Sequence, residues 1–209
     1  KFFLEQSAAT IRQILSGSEL RGDTQTSWRR ELVSVRSSLG QWDEAVKQMR
    51  VILSDQKNAR SPFLQQDAAE LFQKAAKNSP SFEQSQIFFR TAVSGSRVTL
   101  TTGESVVWGW GVLANRVSKV AFGDRSDLAD SMRRLYFESR FSLAACRLEW
   151  SQSVVDVATK IKLLHDAEAD IKIESQLHPG LGGIAFKKRF EELRMNIQQE
   201  FLKIQESRQ

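Results

Sequence analysis

A glycine-centred turn between two apolar-striped segments constrains the fold of this chain more than any other sequence feature. Within residues 32–57, the run Gly40-Gln41-Trp42-Asp43 separates two stretches in which apolar residues recur every three or four positions. This spacing is typical of amphipathic helices, and a glycine at the break is typical of a helix end. The segment therefore predicts two short helices joined by a tight turn.

The composition of the whole chain favours helices. Its 209 residues include only 3 Pro and 11 Gly, and 41% are hydrophobic, which is enough for a continuous core. We expect one all-α domain with N-terminal helices in residues 1–60, middle helices in 61–122, and a long hairpin with a capping helix in 126–209. The first residues include neither an initiator Met nor a signal-peptide pattern, so we expect a soluble portion of a larger protein.

Charge and cysteine content narrow the function classes. The net charge of +5 is spread along the chain without a basic arm, and the aromatic residues fall at apolar helical positions, so we expect no nucleic-acid partner. No apolar run approaches the length of a membrane span, so we expect no membrane insertion by this segment. Cys146 is the one cysteine, which rules out an internal disulfide and leaves the compartment open, cytoplasmic or extracytoplasmic.

Two Ser-Pro pairs mark helix starts. A serine at the N-cap followed by proline at the first helical position is a favoured beginning of a helix. Ser61-Pro62 and Ser79-Pro80 therefore predict helices from 62 to about 77 and from 80 to about 93.

The stretch 97–107 fits two structures. Alternating apolar and polar residues followed by a Thr-Gly pair are typical of a small β-hairpin. Thr101 and Glu104 instead have the spacing of a capping box, followed by apolar residues at helical intervals. We expect a loop and then a helix, with the hairpin as the alternative.

Three arginines lie seven residues apart in a long helix expected over 128–150. Arg133, Arg140 and Arg147 form one stripe along this helix. Guanidinium groups suit carboxylate or phosphate recognition. We expect instead a solvated face held by the local pairs of Arg134 with Asp130 and with Glu138.

The sequence supplies little for catalysis. Of its two histidines, His178 follows a helix expected over 153–177, where it suits the helix C-terminus, and His165 lies inside that helix. Cys146 lies in an apolar run, unlike a reactive thiol. No metal-binding spacing occurs. We therefore expect no enzyme activity, no metal and no cofactor.

Several apolar and small residues resemble the tetratricopeptide repeat, a 34-residue helical hairpin. The pattern's positions fall on Leu32, Gly40, Trp42, Ala45 and Met49 in the first hairpin, on Ala68, Phe72, Ala75 and Pro80 in the next helix, and on Leu143, Ala167, Ile171 and Pro179 in an elongated third copy. The resemblance implies a right-handed α-α superhelix in which these residues pack helices together.

The same resemblance implies a non-catalytic scaffold for protein–protein interaction. It places a peptide or a partner domain in a concave groove lined by Ser27, Arg30, Ser34, Ser37, Glu138 and Phe141. We expect Arg30 and Arg140 to pair with acidic groups of the partner, and an exposed Trp110 to anchor an apolar one.

Two alternatives remain from the sequence. In the first alternative, the chain is a structural segment of a larger envelope or secretion assembly. In the second, it is a ligand-binding or enzymatic domain with a pocket near Trp108, Trp110 and Cys146. The identity of the partner and the oligomeric state are left open by the sequence.

Overall fold

The fold consists of helices and one small sheet. The computed structural model describes residues 1–17, 22–123 and 127–207. Over these residues the chain forms ten helices and a two-stranded antiparallel sheet. In chain order the elements are α1 Phe2–Gly17, α2 Asp23–Ser38, α3 Trp42–Ile52, α4 Gln56–Ala59, α5 Pro62–Asn78, α6 Phe82–Ser94, β1 Ser96–Leu100, β2 Gly103–Val107, α7 Gly109–Phe122, α8 Ala129–Ser153, α9 Val157–Leu177 and α10 Ile184–Glu206. The prediction of an all-α fold is confirmed.

The chain divides into two compact units, and the division falls inside α6. Unit 1 comprises Lys1–Phe88 and Ser96–Val107, and unit 2 comprises Phe89–Gly95 and Trp108–Gln209. Unit 1 therefore contains α1 to α5 and the sheet, whereas unit 2 contains α7 to α10. This division differs from the three expected sections, because residues 61–122 contribute to both units.

The turn at Gly40 joins α2 and α3 as the sequence predicts. Gly40 has a φ of 73°, a left-handed conformation that costs least for glycine. Its N–H donates to Ser37 O at 3.0 Å, and the Gln41 N–H donates to Arg36 O at 2.9 Å. These two bonds form a Schellman motif, which satisfies the last carbonyls of α2 and turns the chain into α3.

Most of the tetratricopeptide-like packing residues between positions 32 and 80 are buried in the interior of unit 1. The buried ones are Leu32, Ala45, Met49, Ala68, Phe72 and Ala75. Trp42 is half-buried, and Gly40 and Pro80 are exposed. The ring of Phe72 meets that of Phe88 edge-on, with centroids 5.8 Å apart. Small alanines beside large apolar side chains allow the helices of this unit to pack closely.

One of the two Ser-Pro helix starts is correct and the other is shifted. α5 begins at Pro62, and the Ser61 side chain caps it as predicted. α6 instead begins after Ser81, whose Oγ accepts a hydrogen bond from the Gln84 N–H at 3.3 Å. Ser79 ends α5 in an extended conformation. The later serine therefore takes the capping role.

The stretch 97–107 forms a β-hairpin, so the expected helix start at Thr101 is wrong. β1 and β2 pair antiparallel, with Ser96 opposite Val107 and Leu100 opposite Gly103. Alternation of polar and apolar side chains outweighs the capping-box spacing, because it lets this short sheet present one side to the protein interior. Glu104, the expected capping residue, instead pairs with Arg97 of the opposite strand at 3.2 Å.

A buried glutamine fastens the hairpin to α5. The Gln65 side chain is fully buried, and its Nε2 donates to Val106 O at 2.7 Å and to Ala59 O at 2.9 Å. Both acceptors are backbone carbonyls, one at the end of α4 and one in β2. The hairpin is therefore held by polar contacts as well as by its apolar side.

Unit 2 is organised around α8, a 25-residue helix that contacts α7, α9 and α10. The core between α8, α9 and α10 contains Ala144, Leu148, Leu164, Ala167, Ile171, Leu181, Phe190, Leu193, Ile197 and Ile204. Leu143 is also buried, whereas Pro179 is exposed at the turn after α9. Of the third set of expected packing positions, Ala167 and Ile171 therefore lie in this core, whereas Leu143 is buried beside Gly111 of α7.

Two glycines bring the start of α7 against the end of α6 within unit 2. A Cβ at Gly109 would lie 2.8 Å from Thr91 O and 2.9 Å from Ala92 O, and the φ of this glycine is 66°. A Cβ at Gly111 would lie 3.3 Å from Val93 O. Both positions therefore need glycine for the two helices to approach this closely.

We predict that Gly109→Ala destabilises the protein by about 2 kcal/mol or more, because the substitution adds both a left-handed alanine and a clash with backbone atoms. Gly180→Ala is the matched control, since a Cβ there meets no atom within 4 Å. Urea unfolding followed by circular dichroism measures both. Equal stabilities of the two variants would contradict the prediction.

Candidate functional site

A groove between α2 and α5 is the candidate site in unit 1. Its volume is about 630 Å³. One wall is the exposed face of α2 and the other is the facing side of α5. The principal lining side chains are Ser27, Arg30, Ser34 and Ser37 from α2, and Asp67, Glu70, Leu71 and Lys74 from α5. We call this feature the α2–α5 groove.

The 3.6-residue periodicity of an α-helix explains why these α2 residues share one wall of the groove. Positions 27, 30, 34 and 37 follow one another at three- and four-residue steps, which places them on one face of a helix. Val33 and Met49 are buried and form part of the floor. The structure thus brings together the four α2 residues expected to contact a partner, while their role in binding stays a prediction.

The walls of the α2–α5 groove carry opposite charges that face each other. Arg30 Nη2 lies 2.7 Å from Asp67 Oδ2, and the two side chains are 55% and 39% exposed. Ion pairs this exposed contribute about 0–1 kcal/mol, so Arg30 exchanges its partner at little cost. Lys74 lies 3.9 Å from Glu70 along α5. The groove is therefore polar and its charges are available to a ligand.

The sequence interpretation missed the α5 wall. Asp67, Glu70 and Lys74 are spaced three and four apart, the same stepping that places the α2 residues on one face. This stripe was a usable signal for an exposed face of α5. Its position opposite α2 was not, because the pairing of distant helices depends on tertiary packing.

The structure contradicts an anchoring role for Trp110. Its side chain is 1% exposed, so it cannot reach a partner. The glycines on either side of Trp110 let α7 pack tightly, which encloses the indole. Trp108 and Cys146 are buried as well, and the three residues belong to the interior of unit 2.

The remaining expected contact residues are engaged within unit 2. Glu138 accepts two hydrogen bonds from Arg189, both 2.7 Å long. Phe141 meets Phe190 edge-on at 5.5 Å and packs on the core of this unit. Arg140 points to α9. None of these contacts requires a partner.

The arginine stripe of α8 is not the solvated face that the sequence suggested. Asp130 pairs with Arg133 at 3.0 Å rather than with Arg134, and Glu138 pairs with Arg189. Arg140 and Arg147 face acidic residues of α9. The expected local pairs of Arg134 were therefore wrong, because Asp130 pairs with Arg133 on the same helix and Glu138 pairs with Arg189 of α10.

Arg140, Arg147, Asp170 and Glu174 form an ionic ladder between α8 and α9. Arg140 Nε donates to Glu174 Oε2 at 2.9 Å, and Arg140 Nη2 lies 3.9 Å from Asp170 Oδ1. Arg147 Nη1 pairs with Asp170 and also donates to Asp166 O at 3.0 Å. We call these four side chains the α8–α9 ladder.

The surroundings of the α8–α9 ladder raise the pKa values of two side chains, Tyr136 and Asp170. Burial, and then the charge of Glu174, raises the pKa of Tyr136 to about 12, so its hydroxyl remains a donor to Glu174 at neutral pH, at 3.0 Å. Burial also raises the pKa of Asp170, against the opposing effect of Arg147 and Arg140. Desolvation is therefore the larger influence on this carboxyl.

Glu174 is the most enclosed acid of the ladder. Its side chain is fully buried, and no described residue donates a hydrogen bond to its Oε1. His178 Nε2 lies 3.9 Å from this oxygen, and the imidazole stacks on the Phe122 ring at 4.3 Å between centroids. His178 also ends α9, where its N–H donates to Glu174 O. The ladder thus ends in an aromatic cluster.

Neither a metal cluster nor a membrane-spanning helix occurs in the described part of the chain. Over residues 1–17, 22–123 and 127–207, no group of three or more His, Cys, Asp and Glu side chains is arranged to hold a metal ion. Within the same ranges, every helix is too short or too polar to cross a bilayer.

The fold and the site define an all-α protein with one small β-hairpin and a polar groove in unit 1. Comparisons of the chain with protein-family models, with curated proteins and with solved structures found no match. The likeness to tetratricopeptide repeats therefore rests on the residues that suggested it.

We predict that Glu174→Ala destabilises the protein by about 3–5 kcal/mol, because it removes the carboxylate that accepts hydrogen bonds from Arg140 and Tyr136 and leaves Arg140 with only its 3.9 Å contact with Asp170. Glu191→Ala, at an exposed position of α10, is the control, with an expected change within about 0.5 kcal/mol. Chemical denaturation measures both free energies of unfolding. A loss for Glu174→Ala no larger than the control would rule out a structural role for the ladder.

We predict that wild type loses stability relative to Asp170→Asn as the pH rises from about 4. The folded pKa of Asp170 is raised, so the folded state holds this proton more tightly than the unfolded state does. Stability from this group is thus present at low pH and is lost as the pH rises through the folded pKa. Urea unfolding of both proteins across the acidic range tests the sign, and a difference that moves in favour of wild type would contradict it.

Proposed function

We propose that this protein is a non-catalytic scaffold that binds a peptide segment of a partner protein in the α2–α5 groove. The observation that carries the proposal is the alignment of Ser27, Arg30, Ser34 and Ser37 along one wall of an open groove. The tetratricopeptide-like positions in the sequence suggest the same surface. The proposal concerns unit 1 alone.

The groove is polar, with Arg30 and Lys74 set against Glu31, Asp67 and Glu70, and Arg30 is the group that would recognise an acidic residue of the segment. Arg30 is the cation at the centre of the α2 wall, and its bond with Asp67 is exposed and exchangeable. Ser27 and Ser34 are exposed and provide hydroxyls that both donate and accept hydrogen bonds. Ser37 is less available, since its Oγ already donates to Val33 O at 2.8 Å.

Recognition then proceeds by exchange of carboxylates. An acidic side chain of the peptide displaces Asp67 from Arg30, while serine hydroxyls hold the peptide backbone on either side. The floor is already buried and adds little new apolar contact. We therefore expect moderate affinity and strong dependence on salt, because exposed charge pairs are screened by ions.

The test begins with selection of peptides from a random display library on immobilised wild-type protein. Arg30→Glu is expected to weaken binding of a selected acidic peptide by about tenfold or more, because it places a carboxylate where the peptide's own would sit. The melting temperature should not fall, since Arg30 is largely exposed. Isothermal titration calorimetry and thermal unfolding give the two readouts.

The matched control is Arg60→Glu, which makes the same change of charge at an exposed position of unit 1 outside the α2–α5 groove. This variant should bind the selected peptide like wild type. Equal affinity of wild type and Arg30→Glu would reject the role of the groove, as would an equal loss in both variants.

A second substitution tests the exchange itself. Asp67→Asn removes the internal competitor for Arg30, so it is expected to tighten binding of the acidic peptide by about two- to fivefold, the equivalent of an exposed ion pair. The same calorimetric titration measures it. Weaker binding by Asp67→Asn would show that Asp67 contacts the peptide instead of competing with it.

A further inference from the structure

A second concavity lies in unit 2, between the first turns of α8 and of α10. Its volume is about 590 Å³, within the range of sites for small molecules. Its lining includes Arg133, Arg134 and Phe137 from α8, with Gly182, Ala185 and Phe186 from the turn before α10 and its first turn. We call it the α8–α10 cleft. It shares no residue with the α2–α5 groove.

Two phenyl rings form the apolar part of the α8–α10 cleft. Phe137 is buried and Phe186 is half-buried, with ring centroids 5.9 Å apart. Gly182 lets the turn approach this floor, because a Cβ there would lie 2.5 Å from Phe137 Cδ2. The two rings are tilted by 41° to each other, so the floor is a close-packed apolar surface that an apolar ring can contact.

One wall of the α8–α10 cleft is formed by the ion pair of Arg189 with Glu138, whose charges cancel. Arg189 donates through both Nη atoms to the two carboxylate oxygens of Glu138, at 2.7 Å each. Its guanidinium also lies over Phe141 at 4.0 Å and over Phe186 at 5.1 Å from the ring centroids. The hydrogen bonds to Glu138 raise the pKa of Arg189. A bidentate, stacked pair of this kind is not readily opened by a ligand.

Arg133 is likewise engaged. Its Nη1 lies 3.0 Å from Asp130 Oδ1, and its Nε donates to Ala121 O at 3.0 Å. Arg134 differs. This side chain is exposed at the cleft, and among the residues that the structure describes none forms an ion pair with it. Within the described residues, the cleft therefore has one positive charge that forms no ion pair.

The start of α10 adds to this positive character. The first hydrogen bond within the helix runs from the Lys187 N–H to Gly183 O, so the amides of residues 184–186 have no acceptor in the helix. Gly183 has no side chain to cap them. Such amides favour anions, and two of their residues line the cleft beside Arg134.

We propose that the α8–α10 cleft binds a small organic anion, namely a phosphate or carboxylate carried on an aromatic ring. The ring lies against Phe137 and Phe186, and the anionic group meets the guanidinium of Arg134 and the first amides of α10. This site is independent of the peptide groove proposed for unit 1.

The arrangement of charges excludes other ligand classes. A cation would have to separate Glu138 from Arg189 or Asp130 from Arg133, whereas an anion joins Arg134 without breaking any contact. A neutral aromatic molecule would gain the floor but not the charge. An inorganic anion would gain the charge but not the floor. An aromatic anion is the class that uses both.

Phenyl phosphate is the probe; inorganic phosphate represents its anionic half, and benzyl alcohol, a neutral aromatic molecule of similar size, represents its aromatic half. Calorimetric titration of the full chain at low salt should give a dissociation constant of about 1 mM or below for phenyl phosphate, and binding at least about tenfold weaker for either half. Comparable binding of benzyl alcohol would overturn the anionic part of the proposal, and comparable binding of inorganic phosphate would overturn the aromatic part.

Arg134→Gln should weaken phenyl phosphate binding by about tenfold without changing the circular dichroism spectrum, because this side chain is exposed and unpaired within the described structure. Arg194→Gln is the matched control, since it removes an exposed arginine from α10 outside the cleft. Equal binding by Arg134→Gln and wild type, or equal losses in both variants, would overturn the site.

A second variant tests the floor without removing a charge. Ala185→Leu adds bulk at an exposed position that lines the cleft and remains compatible with a helix, so it should abolish phenyl phosphate binding while the unfolding midpoint stays unchanged. Binding by Ala185→Leu at wild-type affinity, or the absence of any phenyl phosphate binding by wild type at about 10 mM, would refute the proposal.

Discussion

The α8–α9 ladder is the interaction on which unit 2 most depends. Arg140 and Arg147 are two turns apart on α8, and their partners Glu174 and Asp170 are one turn apart on α9. Burying such charges costs several kcal/mol per ion unless each finds its counterpart. Sliding one helix past the other by a turn would leave a buried charge facing apolar side chains. The ladder therefore favours one alignment of these helices far more than a purely apolar seam would.

The alignment of α8 has consequences beyond the ladder. Arg140 and Arg147 face α9, and seven residues before Arg140 the same stripe reaches Arg133 at the other end of the helix. There α8 meets the start of α10 instead, and Arg133, Arg134 and Phe137 line the α8–α10 cleft. One helix thus uses its arginines for packing at one end and presents them at a concave surface at the other.

The sequence predicted local structure better than contacts between elements. The end of α2 at Gly40 and the start of α5 at Pro62 follow from backbone preferences of single residues, so they could be derived without a partner helix. The exposure of Trp110 could not, because it depends on how closely α7 approaches its neighbours. The hairpin at 97–107 is an intermediate case. Its sequence contains both a capping-box spacing, which favours a helix, and an alternation of polar and apolar residues, which favours strands. The hydrogen bond from Gln65 of α5 to β2 favours the strands.

The candidate sites show the same limit. Spacing along α2 placed Ser27, Arg30, Ser34 and Ser37 on one face, because helical periodicity alone determines that relationship. Asp67, which faces Arg30, lies 37 residues later on another helix, and no periodicity connects the two. The pairing of arginines with acids across helices was missed for this reason in both units.

The two concave surfaces differ in how an arginine becomes available to a ligand. In the α2–α5 groove, Arg30 is held by a single exposed contact with Asp67, so a ligand competes with an internal carboxylate. In the α8–α10 cleft, Arg189 is held by two hydrogen bonds and two aromatic rings, so the accessible charge is Arg134, with which no described residue forms an ion pair. The two proposals thus imply that affinity at the first surface is reduced by the cost of exchange, and affinity at the second by the flexibility of an unsupported side chain. The proposals imply the same division in selectivity, because exchange at Arg30 would discriminate against ligands without a carboxylate, whereas the phenyl floor would discriminate against ligands without a ring.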